Sequence, residues 1–150
     1  MKNIFTPEVS AEVIARINHL NPTSQPQWGK MNVAQMLAHC NVTYDLAFNE
    51  KHKKATGIKK WVFSTFLKPI VCGEKPYAKN SRTAPVFLIT DVRVFETEKR
   101  LLIEFVTKAQ ELGDAYFNGK ESVSFGNLTT QEWNNMFYKH LDHHLTQFGV

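Results

Sequence analysis

The sequence predicts an all-α fold, a four-helix bundle with a long, partly helical connection between its second and third helices. Apolar residues recur at helical spacing in separate segments, two capping boxes open two of those segments, and Pro and Gly breaks gather between residues 51 and 90. A chain of 150 residues can bury roughly 68–70% of its unfolded surface around one core. One domain over residues 1–150 is therefore expected, with no need of a structural metal.

The first helix is predicted over about 7 to 20, because Thr6 is a capping residue, Pro7 fits the first helical position and Glu8 favours the positive helix start. Asn21 and Pro22 close it. Asn32 and Gln35 form a capping-box pattern for a second helix to about Glu50. A short helix around 58 to 68 is expected in the connection, broken by Pro69, Gly73, Pro76 and Pro85. The stretch PVFLITDVRV at 85–94 alternates briefly, yet one such segment cannot form a sheet alone. The third helix is predicted over about 92 to 112, from the periodicity of Phe95, Leu101, Leu102, Phe105, Val106, Ala109 and Leu112, with Gly113 as its stop. Thr129 and Glu132 cap a fourth helix that ends at Gly149. The long connection has the length to run back along the bundle, allowing a parallel neighbouring pair.

Composition narrows the class. Cys40 and Cys72 form no disulfide framework and MKNIFTPEVS has no leader character, so a reducing cytoplasm is expected. WVFSTFL, the longest apolar run, is far short of the ~20 residues that cross a bilayer. The net charge of +4 comes largely from Lys51, Lys53, Lys54, Lys59 and Lys60. Beside Trp61 and Phe63 they invite a nucleic-acid or membrane-surface reading, but no nucleic-acid motif accompanies them, so they are read as a solvated face with no nucleic-acid partner. HExxH, GxSxG and Gly-rich phosphate-loop motifs are absent, which removes support for peptidase, esterase and nucleotide-dependent readings.

Three of the six histidines fall within residues 140–144, in YKHLDHHLTQFG. At about 100° per residue, His140 and His144 lie within about 20° of Trp133 on an apolar stripe with Met136, Phe137, Gln147 and Phe148. His143 lies at the stripe's edge, while Lys139, Asp142 and Asn135 are expected to project the opposite way. On the second helix His39 shares a face with Met36, Val42, Thr43 and Leu46. Two histidines four residues apart can share one cation, and a facing His39 would supply a third ligand. The spacing also admits a buried polar network satisfying the same rings. Cys40 points about 100° from His39 and is read as packing. Gln147 is read as orienting a histidine ring or water, or as bonding backbone at the helix end. Leu37, Tyr44 and Phe48 lie opposite His39; they could meet another subunit in a homodimer, or be covered by the 58–68 segment.

QMLAHC at 35–40 and HLDHHLTQ at 140–147 resemble the DinB-like (YfiT-like) four-helix bundles. The resemblance is closer to a branch known as a domain of unknown function, carried by WGKMNVAQMLAHC at 28–40 and FGNLTTQEWNNMFYKHLDHHLTQFG at 125–149. It implies a divalent metal held by His39, His140 and His144; imidazole ligands suit several ions, with zinc or nickel expected first and iron or manganese next. Gln147, His143 and Trp133 are candidates for supporting the ligands or lining the substrate pocket. Many members follow the last ligand with Arg-Gly-Gln, where this chain has Leu145, Thr146 and Gln147. Three imidazoles leave a coordination position open for water or a thiol. The resemblance therefore implies a small-molecule substrate, such as a thiol, and hydrolase or thiol-transferase chemistry. The alternative is a non-enzymatic dimeric or stress-related binding module whose histidines form a structural site.

Overall fold

Helix boundaries follow the capping chemistry. The computed structural model describes residues 1–150. Helix α1 (Pro7–His19) begins where the Thr6 hydroxyl accepts from the Val9 N–H. Reciprocal capping boxes start α2 (Val33–Phe48) at Asn32 and Gln35, and α6 (Thr130–Gln147) at Thr129 and Glu132. Helix α5 (Phe95–Phe117) starts after exposed Val92 and Val94 and does not end at Gly113. Gly113 adopts φ 66°, breaks the helical geometry, and the chain resumes for one turn. Phe117, beyond the break, is fully buried and stacks on Phe5 at 4.7 Å, which gives that final turn its reason to form.

The connection after α2 is helical for longer than its prolines suggested. Helix α3 (Gly57–Val62), a π turn (Phe63–Leu67) and α4 (Lys68–Cys72) follow one another directly. Pro69 has no N–H for an i−4 bond, and the wider turn before it, closed by Lys68 N–H to Phe63 carbonyl, accommodates the ring. Residues 85–94 form no strand; a 3₁₀ turn spans Pro85–Phe87 and the rest is irregular. The strands are elsewhere, in a two-residue hairpin pairing β1 (Glu121–Ser122) with β2 (Gly126–Asn127). So short a pair has no sequence period to announce it.

Contacts order the bundle. Asn41 meets Glu98, Tyr44 meets Phe105, and Phe48 meets Phe105 and Phe117, so α2 and α5 run parallel. Ile4 reaches Asn134 and Arg16 reaches Asp142, so α1 and α6 are parallel as well. Thr43 meets His140 while Tyr44 stacks on Phe137, which sets α2 antiparallel to α6. A parallel α2–α5 pair requires the chain to return to its starting end, and residues 49–94 make that crossover.

The face carrying Leu37, Tyr44 and Phe48 is covered by α5 and α6, not by a second subunit and not by the 58–68 segment. Leu37 and Tyr44 are fully buried, and Tyr44 stacks on Phe137 at 4.5 Å and Phe105 at 5.8 Å. Its hydroxyl is buried with no hydrogen-bond partner. An orphaned hydroxyl keeps its desolvation cost, roughly 1–3 kcal/mol. Tyr44→Phe is therefore expected to leave stability unchanged or raise it by about 1 kcal/mol, read as the urea midpoint; a fall of that size would show that the hydroxyl is partnered.

Helix α6 is buried on two faces. Asn135 and Lys139, expected to point outward, are both buried beneath α4. Asn135 Nδ2 donates to the Cys72 carbonyl at 2.9 Å, and Lys139 Nζ donates to the carbonyls of Ile70, at 2.8 Å, and Gly73. The ammonium thus caps the end of α4, and burial lowers its pKa.

Candidate metal centre

The antiparallel α2–α6 contact brings His39, His140 and His144 together, toward the end of the bundle where α6 finishes and α5 starts. One ring nitrogen from each lies within 4.8 Å of the others. The His39 and His140 Nε2 atoms are 2.9 Å apart, and the His144 ring centroid is 4.5 Å from that of His39 and 4.8 Å from that of His140. His39 and His144 are buried and His140 half-buried.

The outer nitrogens fix which inner ones carry lone pairs. His39 Nδ1 is 2.8 Å from the Phe87 carbonyl, which only accepts, so Nδ1 carries the proton and Nε2 is an electron-pair donor. His144 Nδ1 is 2.8 Å from Gln147 Oε1. The Gln147 amide is oriented by its Nε2 donating to the Trp28 carbonyl at 2.6 Å, so Oε1 accepts and His144 Nδ1 donates. His144 Nε2 also faces inward as a lone pair. His140 Nδ1 lies 2.9 Å from the Thr43 hydroxyl, which both donates and accepts. His140 can thus donate from Nε2 to His39, or donate from Nδ1 to Thr43 and turn a third lone pair inward.

Burial disfavours protonation of every ring in the cluster. His140 lies well below the ordinary imidazole pKa, through burial first and then its three histidine neighbours. Burial, followed by the nearby His39, depresses His144 to about 3. His39 is lowered by burial against the opposing bond to Phe87, and His143 by burial. Neutral rings with inward lone pairs are the donor set a divalent cation requires. Outer N–H groups held by oxygen acceptors are the usual support of such ligands. The three residues can hold a metal ion.

The irregular part of the crossover roofs the cluster. Phe87 lies 5.4 Å from His39 and 5.9 Å from His140, and Tyr77 lies 6.3 Å from His140. His143 stands at the rim between Tyr77 at 5.7 Å and Trp28 at 5.8 Å. Clefts of about 220 and 300 Å³ lie elsewhere, and no histidine lines either.

Of the supporting candidates, Gln147 reaches His144 directly and His143 borders the site. Trp133 does not join it: its Nε1 donates to the Lys120 carbonyl and its ring packs on Phe117 and Phe137. Cys40 is buried beside Met36, and burial raises its pKa. Sequence reasoning missed the Phe87 carbonyl, Tyr77 and Trp28. Thr43, four residues after His39 on the same face, was the one signal available for the His140 partner.

Gly29 explains part of the segment before α2. It has φ +86°, and a Cβ there would stand 2.5 Å from Gln147 Nε2. Only glycine lets the loop approach the amide that orients His144.

A family model described as Protein of unknown function (DUF1569) matches residues 5–149. No curated protein and no solved structure matches the chain.

Proposed function

We propose that this chain, which belongs to the DUF1569 family, binds one divalent metal ion through His39, His140 and His144 in a single DinB-like domain. The observation that carries the proposal is the convergence of three neutral imidazoles, two with outer N–H groups committed to carbonyl oxygens. A buried network alone serves them poorly, since His144 Nε2 finds no protein partner while its Nδ1 is already engaged. A cation would engage all three inner nitrogens at once, which the hydrogen bonds within the protein do not.

An ion held by three imidazoles keeps a coordination position free, where it would acidify a water or stabilise a thiolate. The proposed activity is hydrolysis or thiol transfer on a small molecule, with zinc or nickel before iron or manganese as the ion. Phe87 and Tyr77 limit water entry, and His143 at the rim can accept or deliver a proton. Where many DinB-like members carry Arg-Gly-Gln, Leu145 is buried in the core and the Thr146 hydroxyl accepts from Arg16 at 3.3 Å. The retained glutamine is the one of the three that supports a ligand.

Untagged protein stripped with chelator and titrated with Zn²⁺ or Ni²⁺ tests the proposal. One ion per chain is expected, and absence of saturable binding would overturn it. Gln147→Leu removes the acceptor for His144 Nδ1–H and is expected to weaken binding about 10–100-fold. Gln147→Glu keeps an acceptor and should restore most of the affinity. Equal affinity in Gln147→Leu and wild type would mean that the amide does not orient the ring.

A further inference from the structure

The helical crossover from Gly57 to Cys72 presents an apolar face with no cover. Ile58, Trp61, Phe66 and Ile70 are 81, 62, 59 and 60% exposed. In an uninterrupted α-helix these positions would spread over about 180° at 100° per residue. The π turn at Phe63–Leu67 inserts one residue into the register, so Phe66 and Ile70 fall where positions 65 and 69 would otherwise stand. The four side chains then lie within about 80° of one another. The turn that accommodates Pro69 therefore also gathers the exposed apolar residues into one stripe, against the ordinary tendency of a helix to bury its apolar side.

On the flank of the same helix, about 120° from the centre of the stripe at Lys59, is a basic cleft of about 300 Å³, lined by Lys53, Lys54 and Lys59 with Thr56 and Ser124, and with Phe63 among its walls. Glu121 pairs with Lys54 at 2.7 Å and with Lys60 at 3.5 Å. Lys53 and Lys59 have no carboxylate partner, and Lys51 is exposed nearby.

We propose that this crossover docks on an anionic lipid bilayer, with Ile58, Trp61, Phe66 and Ile70 entering the headgroup–acyl boundary while the lysine cleft takes a phosphate headgroup. An exposed aromatic and aliphatic stripe bordered by lysines matches the chemistry of that boundary. Charge separates this occupant from the others. A second copy docking face to face would add a second lysine cluster to the first, with Glu121 already paired to Lys54 and Lys60. A nucleic acid would satisfy the lysines and could stack on Trp61 and Phe66, but would leave Ile58 and Ile70 in water. Only a surface that is both acidic and apolar meets both features. The proposal does not depend on the metal site.

Co-sedimentation with vesicles of phosphatidylcholine alone, and of phosphatidylcholine with phosphatidylserine, tests it. Binding to the second and not the first is expected, weakened by salt. A blue shift of Trp emission on binding is expected in wild type and not in Trp61→Phe. Lys53→Ala and Lys59→Ala should each weaken partitioning about fivefold, and Phe66→Ser with Ile70→Ser should reduce it further. All replaced side chains are solvent-facing, and an unchanged far-ultraviolet dichroism spectrum verifies folding. Failure to bind acidic vesicles would overturn the proposal, as would binding unaffected by Phe66→Ser and Ile70→Ser. So would salt-dependent binding to DNA in its place, or dimerisation abolished by Phe66→Asp with vesicles left unbound.

Discussion

His140→Ala is expected to abolish stoichiometric metal binding, a loss beyond the roughly 10–100-fold that removing an outer support produces. His140 contacts both other rings: its Nε2 lies 2.9 Å from that of His39, and its centroid 4.8 Å from that of His144. His39→Ala and His144→Ala should behave alike. His143→Ala should retain binding, because that ring packs against Tyr77 and Trp28 at the rim. Calorimetric titration of the four variants checks the assignment, and thermal unfolding in chelator verifies that each still folds. Retained binding in His140→Ala beside lost binding in His143→Ala would move the centre to the rim.

Acid should destabilise the metal-free protein more steeply than its carboxylates alone would require. His39, His140 and His144 all have native pKa values below that of a free imidazole, burial being the largest cause in each. As pH falls below about 6.5 the unfolded chain takes up protons that the folded chain refuses, so stability is complete above that pH and declines beneath it. Each ring held neutral contributes a slope of about 1.4 kcal/mol per pH unit. His144, with a native pKa of about 3, contributes on the order of 5 kcal/mol across its window. A typical domain is stable by only about 5–15 kcal/mol. Urea midpoints in chelator should therefore fall between pH 6.5 and 4, and His144→Leu should flatten the curve. Parallel curves for variant and wild type would show that His144 is protonated in the fold.

The three converging histidines were legible in the sequence because helical periodicity reports which residues share a face; His39 and His140 sit well inside regular helices, and His144 in the last turn of α6. The capping boxes at Asn32 and Thr129 placed those helices for the same reason. The wheel failed at Lys139 and Asn135, since it assumed α6 has one buried face. Helix α4, a short segment that follows a π turn, covers the second face and draws the lysine to its terminal carbonyls. Phe87 was not legible as a support because its contribution is a main-chain carbonyl from an irregular stretch, which no side-chain pattern encodes. Gly113 read as a stop because glycine ends helices, and the burial of Phe117 outweighed that local signal.

The roof over the histidines differs in kind from the bundle that carries them. Between Glu74 and Arg93 the only backbone–backbone hydrogen bonds are those of the turn at residues 84–88, whereas α2 and α6 are bonded along their lengths. Segments so sparsely bonded open at a small fraction of the free energy of global unfolding. Exchange of whatever occupies the centre is then governed by local breathing of Tyr77 and Phe87, on a timescale separate from that of the helices. Uptake and release of the proposed ion are then expected to leave the rest of the fold intact.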